Sequence, residues 1–139
     1  APLPVRVATN PHWAEGVGTS IRTGIEALAG ADDVDSAILM LADQPLVTAA
    51  ILNQLIDTHR RTGKEIVAAA YADTVGVPVL FSRAFFPKLA ALTGNQGCKG
   101  VILGHPDHAF SLPCPEAEAD IDTPADLERF SGSSCRPGP

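Results

Sequence analysis

Asp43 is the residue whose type and position most directly suggest chemistry. It follows the apolar run S-A-I-L-M-L-A at residues 36–42, and Pro45, which cannot donate a ladder hydrogen bond, comes two positions later. Open α/β sheets bind ligands beyond the carboxyl ends of their strands. A carboxylate there can give Mg²⁺ hard oxygen ligands and leave other positions to substrate phosphates. Capping of the turn before the next helix explains the same residue equally well.

A second group of carboxylates lies in the segment D-I-D-T-P-A-D-L at residues 120–127. If this segment is extended, Asp120 and Asp122 share one face and Ile121 lies on the other. Two acids on one face could complete a metal site with Asp43. The alternative is that they stabilise the N-terminus of a helix that begins after Thr123, because acids are favoured at that end of the helix dipole.

The segment at residues 10–20, N-P-H-W-A-E-G-V-G-T-S, contains two glycines and two hydroxyl residues. It leads into a helical pattern, so its backbone N–H groups could contact an anion or the edge of a base. An ordinary helix cap needs the same residue types. Both interpretations remain open at this point.

Composition narrows the class of partner. The 139 residues include 10 Lys and Arg against 16 Asp and Glu, a net charge of -6 without a basic run, which disfavours nucleic acid and anionic membranes. No apolar run reaches the roughly 18 residues of a membrane-spanning helix. Cys98, Cys114 and Cys135 are odd in number and widely spaced, and no secretory signal is visible, so a cytoplasmic location without disulfides is expected.

The elements that must position these residues alternate between strand and helix patterns. The continuously apolar run at 36–42 predicts the most buried strand, covered on both faces. The other predicted strands are 5–8, 65–71, 77–81 and 109–112, and the predicted helices are 20–29, 48–62, 101–103, one capped by Ser82 and one starting at Thr123. We therefore expect an α/β fold of three layers, a mostly parallel sheet with helices on both faces, in one domain over residues 1–130. Residues 131–139 are expected to form a flexible tail.

Taken together, several segments resemble a known family. They are N-P-H-W-A-E-G-V-G-T-S-I-R-T-G-I-E-A-L, A-I-L-M-L-A-D-Q-P-L-V-T, G-V-P-V-L-F-S-R-A-F-F-P-K-L, G-N-Q-G-C-K and D-I-D-T-P-A-D-L. Their order and content are similar to the MobA-like NTP transferases, and within them to the molybdenum cofactor cytidylyltransferase branch, from about residue 5 to 130. The resemblance implies a Rossmann-like fold of the nucleotide-diphospho-sugar transferase type. The family's glycine-rich signature L-A-A-G-x-S-x-R-M-G does not occur in this sequence, so the first strand and phosphate loop are expected to be missing.

The resemblance also implies an activity and its residues. The family transfers CMP or GMP from CTP or GTP to a phosphorylated acceptor, here the molybdopterin cofactor, and releases pyrophosphate. Asp43 and Asp120 would be the catalytic ligands of Mg²⁺ or Mn²⁺, with Asp122 as the substitute for Asp120. The segment implied to meet the nucleotide is Gly18, Thr19 and Ser20. The residues implied to face the pterin substrate are Gly76, Pro78, Gly94, Gly97 and Lys99. Lys99, or less favourably Arg22, could contact a substrate phosphate.

Two further functions compete with this one. The chain could be a non-catalytic relative that binds a pterin, or a partner such as a molybdoenzyme or its chaperone. It could also be a transferase that handles sugar nucleotides with the same metal carboxylates. Because the phosphate loop is absent from this sequence, we expect the chain alone to be inactive, and we expect an unpaired sheet edge to favour self-association.

Overall fold

The computed structural model describes residues 7–41, 44 and 46–118. A four-stranded sheet forms its centre, with strand order β1-β3-β2-β4. The strands are β1 (Ser36–Leu39), β2 (Ile66–Tyr71), β3 (Thr74–Ser82) and β4 (Ala109–Pro113). Strands β1, β2 and β4 run in one direction and β3 runs against them, because β3 pairs antiparallel with β1 and β2 whereas β2 pairs parallel with β4. The carboxyl ends of three strands therefore meet at the same edge.

Helices cover both faces of this sheet. They are α1 (Val17–Ala29), α2 (Ala49–Thr62), α3 (Phe86–Ala90) and α4 (Lys99–Gly104). Helix α2 begins after Thr48 and ends at Gly63, whose φ of 71° is the left-handed conformation that glycine adopts readily. No helix in the described ranges is long and apolar enough to cross a membrane.

The side chains of β2 and β3 alternate between the two faces, as the period of two in a strand requires. Val67 and Leu80 pack with Leu55 of α2 on one face. On the other face, Phe81 and its neighbours pack with residues of α1, α3 and α4, including Ile25. Leu55 is fully buried, so its truncation to alanine should cost about 2–5 kcal/mol. The predicted three-layer α/β fold is confirmed, but the described sheet is mixed and not mostly parallel in its pairing. Because β3 follows β2 through a hairpin, two of the three strand pairings are antiparallel.

The segment at 36–42 does not form the most buried strand. Among its described residues, 36–41, the strand covers Ser36–Leu39, in which only Ala37 is buried, and Met40 and Leu41 are each 47% exposed. The physical reason is position, because β1 lies at one edge of the described sheet and pairs with β3 alone. Its apolar end leaves the sheet and lines a cleft instead.

Two other predictions also need correction. Val7 and Ala8 are not part of a strand, and Val7 is 88% exposed. Helix α1 begins three residues before the predicted start at Ser20, with Gly16 as its N-cap. Thr19 therefore lies inside the helix, where it is buried.

The segments at 65–71 and 77–81 form a hairpin. Ala72 and Asp73 make its two-residue turn with φ values of 49° and 59°, the sign of φ that a type I′ turn requires. The edge strand predicted at 109–112 is confirmed as β4. The predicted helix at Thr123, the domain limit at 130 and the tail at 131–139 lie outside the described residues.

Candidate functional site

A cleft of about 620 Å³ lies beyond the carboxyl ends of β1 and β2. Its walls come from the first turns of α1, the end of β1, the β2–β3 hairpin and the start of α4. Apolar side chains dominate these walls, among them Ile21, Met40 and Val75. Among the described residues that line the cleft, Lys99 alone carries a charge. A second cleft of about 610 Å³ adjoins it and shares Tyr71, Thr74, Val75 and Lys99.

The cleft brings together four of the residues singled out in the sequence. They are Ser20, Gly76, Gly97 and Lys99. Ser20 and Lys99 are exposed, so both can meet a ligand from solvent. Gly76 lies under the Tyr71 side chain, because a Cβ at Gly76 would stand 2.9 Å from the Tyr71 hydroxyl. Glycine at position 76 therefore leaves room for the Tyr71 hydroxyl.

Three other predicted ligand residues face inward. The Gly18 N–H donates to the Gly94 carbonyl at 2.9 Å. The Thr19 hydroxyl donates to the Gly16 carbonyl at 2.7 Å and accepts from Asn10 Nδ2 at 2.9 Å, and the residue is 1% exposed. The Gly18 contact seats the start of α1 on the turn at 93–96, and the Thr19 contacts bind the helix to the loop that precedes it. Their roles as ligands stay predictions, and in this structure their polar groups support the loop.

Pro78 and Arg22 also lie away from the cleft lining. Pro78 is fully buried and follows a cis peptide bond after Val77. Arg22 Nε lies 3.7 Å from Glu26 Oε1 along α1. Lys99 is therefore the better placed of the two cations considered for a substrate phosphate.

Cys98 combines a place in the cleft wall with burial. The residue is 6% exposed, and its burial raises the pKa of the thiol above its ordinary value because a thiolate there would lose its hydration. The thiol is therefore protonated at neutral pH and acts as a small apolar group. A nucleophilic role for Cys98 is disfavoured.

Comparison with known proteins decides the family. The sequence profile of the MobA-like NTP transferase domain matches residues 1–109. The chain belongs to this family. This confirms the resemblance at the level of the MobA-like family; no protein among the curated ones matches the chain.

Three solved structures that are similar to this MobA-like domain come from mycobacteria. A homologue of Mycobacterium tuberculosis Rv0371c from Mycobacterium sp. strain JC1 is 32% identical with a TM-score of 0.64, over 83% of this chain and 58% of that one. Rv0371c from M. tuberculosis H37Rv is 34% identical with a TM-score of 0.62, over 78% and 56%. A complex of Rv0371c with manganese is 33% identical with a TM-score of 0.57, over 78% and 58%. The chain thus spans less than two thirds of these relatives.

The carboxylates predicted to bind a metal in this MobA-like domain, Asp43 and Asp120, lie outside the described residues, as does Asp122. Within the described part of the chain, no group of three or more His, Cys, Asp or Glu side chains could bind a metal ion. The donor chemistry nevertheless fits a hard cation, since two carboxylates are the ligands that Mg²⁺ and Mn²⁺ prefer. Gln44, which follows Asp43 in the sequence, donates a hydrogen bond to the carbonyl of Ala117, three residues before Asp120.

Gln44 is the residue that sequence analysis missed. It is 6% exposed, and its Nε2 donates to the carbonyls of Val77 and Ala117, each at 3.0 Å. Its Oε1 accepts the Leu41 N–H at 3.4 Å. The carbonyls of Val77 and Ala117 belong to residues 33 and 73 positions away in the sequence. The local sequence pattern around Gln44 therefore could not predict these hydrogen bonds.

Proposed function

We propose that this MobA-like domain serves nucleotidyl transfer, in which CMP or GMP passes from CTP or GTP to the phosphate of molybdopterin and pyrophosphate is released. The observation that carries the proposal is the cleft at the carboxyl ends of β1 and β2. There Ser20, Gly76, Gly97 and Lys99 meet in a chain of this family. That edge of the sheet is where α/β folds bind their substrates.

The chemistry needs no covalent enzyme intermediate. An oxygen of the acceptor phosphate attacks the α-phosphorus in line, a new phosphorus–oxygen bond forms, and the bond to the β-phosphate oxygen breaks as pyrophosphate leaves. Mg²⁺ or Mn²⁺, when bound, neutralises charge on the transferred and leaving phosphates. Asp43 and Asp120 would bind that cation.

The remaining roles fall to side chains of the cleft. The Lys99 ammonium offsets the charge of the acceptor phosphate and so lowers the cost of bringing two anions together. Ile21, Met40 and Val75 form apolar walls of the cleft, and around a bound substrate these walls would limit the access of water to the nucleotide. The reaction fits a cytoplasmic protein, in which a thiol such as that of Cys98 stays reduced.

The metal ligands provide the experiment. Asp43→Asn keeps the shape of the side chain and removes its charge, so an active protein carrying this domain should lose turnover by roughly two orders of magnitude. Mn²⁺ binding to the 139-residue chain, measured by electron paramagnetic resonance, should weaken in Asp43→Asn and in Asp120→Ala. Asp57→Asn is the matched control, because Asp57 is an exposed carboxylate of α2 outside the cleft lining.

The acceptor is tested in the same assay. In an active protein that carries this domain, pyrophosphate release from CTP or GTP should depend on added molybdopterin. The nucleotide that gives the faster release is the preferred substrate. Near-normal turnover and Mn²⁺ affinity in Asp43→Asn would remove that residue from the site. Metal binding without pyrophosphate release in a protein that contains the glycine-rich signature would favour the non-catalytic pterin-binding alternative.

A further inference from the structure

Gln44 is a buried side chain that binds three separate segments of the chain at once. Its two amide hydrogens go to the carbonyls of Val77 in β3 and Ala117 after β4, both at 3.0 Å. Its amide oxygen accepts from the Leu41 N–H at 3.4 Å. Every polar atom of this side chain therefore has a partner, although only 6% of the residue is exposed.

The contacts demand the chemistry of a side-chain amide. Two carbonyl oxygens need two donors and a backbone N–H needs an acceptor, and a neutral amide provides both at the end of one side chain. Glutamate has the same shape but no donor when ionised, so it would place negative charge against two carbonyls. Methionine has a similar length and offers neither donor. The position therefore permits a sharp test by substitution.

Two of the three segments bound by Gln44 line the cleft, and the third lies close in sequence to a predicted metal ligand. Leu41 and Val77 line the cleft, and Ala117 precedes Asp120 by three residues in the chain. Asp43 is the immediate sequence neighbour of Gln44. One amide thus connects two walls of the cleft to both of the segments that carry the predicted metal ligands.

We propose that Gln44 is a positioning residue, which orders the cleft walls and sets the spacing of the two metal-binding segments. The part of this inference that concerns metal binding rests on the proposed function. The part that concerns the cleft walls rests only on the described hydrogen bonds to Leu41 and Val77. Gln44 would act on the ligands through the main-chain segments that it binds, and groups that hold metal ligands in place typically change metal affinity by about 10–100-fold. We therefore expect loss of the amide to weaken Mn²⁺ binding by at least about tenfold.

The chain supplies its own probe for this test. Tyr71 is the single tyrosine of the sequence and lines the cleft, so labelling with 3-fluorotyrosine gives one ¹⁹F resonance at the site. In Gln44→Met that resonance should shift and broaden in the absence of metal, because the walls at Leu41 and Val77 lose their common tie. Mn²⁺ titration followed by electron paramagnetic resonance then reports affinity in the same protein.

Arg83→Met is the matched control. Arg83 also joins separate segments through main-chain carbonyls, those of Ala29, Ala31 and Val34 at 2.7–2.9 Å, but it does not line the cleft. Both variants remove donors from a side chain that bridges carbonyls, so both should lower stability. Only Gln44→Met should change the Tyr71 resonance and the Mn²⁺ affinity.

The outcomes separate the two proposals. Equal Mn²⁺ affinity and an unchanged Tyr71 resonance in Gln44→Met would overturn the positioning role and leave the proposed function intact. Absence of Mn²⁺ binding to the unsubstituted chain would overturn the proposed metal site, and the resonance alone would then decide whether Gln44 orders the cleft. Should Gln44→Met fail to fold, Gln44→Asn, which retains both donors on a shorter side chain, is judged by the same two measurements.

Discussion

Cys98 is a titratable group in the cleft wall whose ionisation the fold opposes. Its burial raises the pKa of the thiol, so the folded chain keeps this proton at pH values where the unfolded chain has released it. The protonated Cys98 thiol makes its full contribution to the free energy of unfolding at pH values below the ordinary pKa of a thiol. It is lost as pH rises above that value towards the raised pKa.

This sign gives a prediction for alkaline solution. The free energy of unfolding of the unsubstituted chain should fall more steeply between about pH 7 and about pH 10 than that of Cys98→Ala, since only the former must keep a buried thiol protonated. Urea titrations at the two pH values measure the difference. Cys114→Ala serves as the comparison for a second buried cysteine. Parallel decline in the unsubstituted and Cys98→Ala chains would contradict the effect of burial.

At the scale of single residues, the family resemblance singled out Ser20, Gly76, Gly97 and Lys99, and the fold brings them into one cleft. Their binding roles stay predictions. Pro78 and Gln44 could not be placed from the local sequence pattern. The burial of Pro78 and the partners of Gln44 depend on segments that only the folded chain brings near.

At the scale of elements, the start of α1 depends on its contact with the turn at 93–96. The N–H of Gly18 donates to the Gly94 carbonyl, and a Cβ at Gly18 would lie 2.7 Å from the Gln96 carbonyl oxygen and 2.9 Å from that of Gly94. Those atoms belong to the main chain, so a larger residue must displace the turn. Gly24 of the same helix is exposed, and a Cβ there meets nothing within 4 Å.

Two alanine substitutions in one helix should therefore act in opposite directions. Gly18→Ala should lower the free energy of unfolding by about 2 kcal/mol through overpacking. Gly24→Ala should raise it by about 1 kcal/mol, because alanine has the better helix propensity. Chemical denaturation checks both. An unchanged free energy of unfolding in Gly18→Ala would mean that α1 does not pack against the turn. The Gly18 N–H would then be available to bind a nucleotide.

Elements differ in how well local pattern predicts them. Helix α2 begins after Thr48 and ends at Gly63 as the apolar spacing and the glycine indicate, because caps and amphipathic spacing are properties of adjacent residues. The start of α1 was missed, since the helix begins at Val17 without a side-chain cap. Thr19 and Ser20 resemble caps in the sequence, but Thr19 is instead used to bind the loop.

At the scale of the whole molecule, the balance of charge opposes nucleotide binding by this chain alone. Its net charge is -6, and among the described residues of the cleft lining Lys99 alone is charged. A triphosphate needs a set of backbone N–H donors and a Lys or Arg cradle. The glycine-rich signature that supplies such a cradle in the family does not occur in this sequence.

We therefore predict that the 139-residue chain binds neither CTP nor GTP tightly in the presence of Mg²⁺. Isothermal titration calorimetry is the measurement, and the expected result is no binding at micromolar nucleotide because like charges repel. Mn²⁺ alone should still bind if the two carboxylates form the metal site. Micromolar affinity for either nucleotide would show that this chain contains the phosphate-binding groups after all.

The sheet edges raise a separate question of assembly. Strands β1 and β4 are the outer strands of the described sheet, and outer strands present backbone groups that can pair with another chain. Self-association through an unpaired strand at the edge of the sheet stays a prediction. Its natural location is β1, which is four residues long and only partly buried.

The sequence by itself determined the alternation of strands and helices, the limits of α2, and the family to which the motifs belong. Those features depend on neighbours within a few residues, where periodicity, caps and turns act. Tertiary structure alone decided that β1 is an outer strand of the described sheet and that the Gly18 N–H donates to the Gly94 carbonyl. It also decided that Gln44 binds the carbonyls of both Val77 and Ala117. Each of these rests on contacts between residues far apart in the chain, so their energies enter only when the chain has folded.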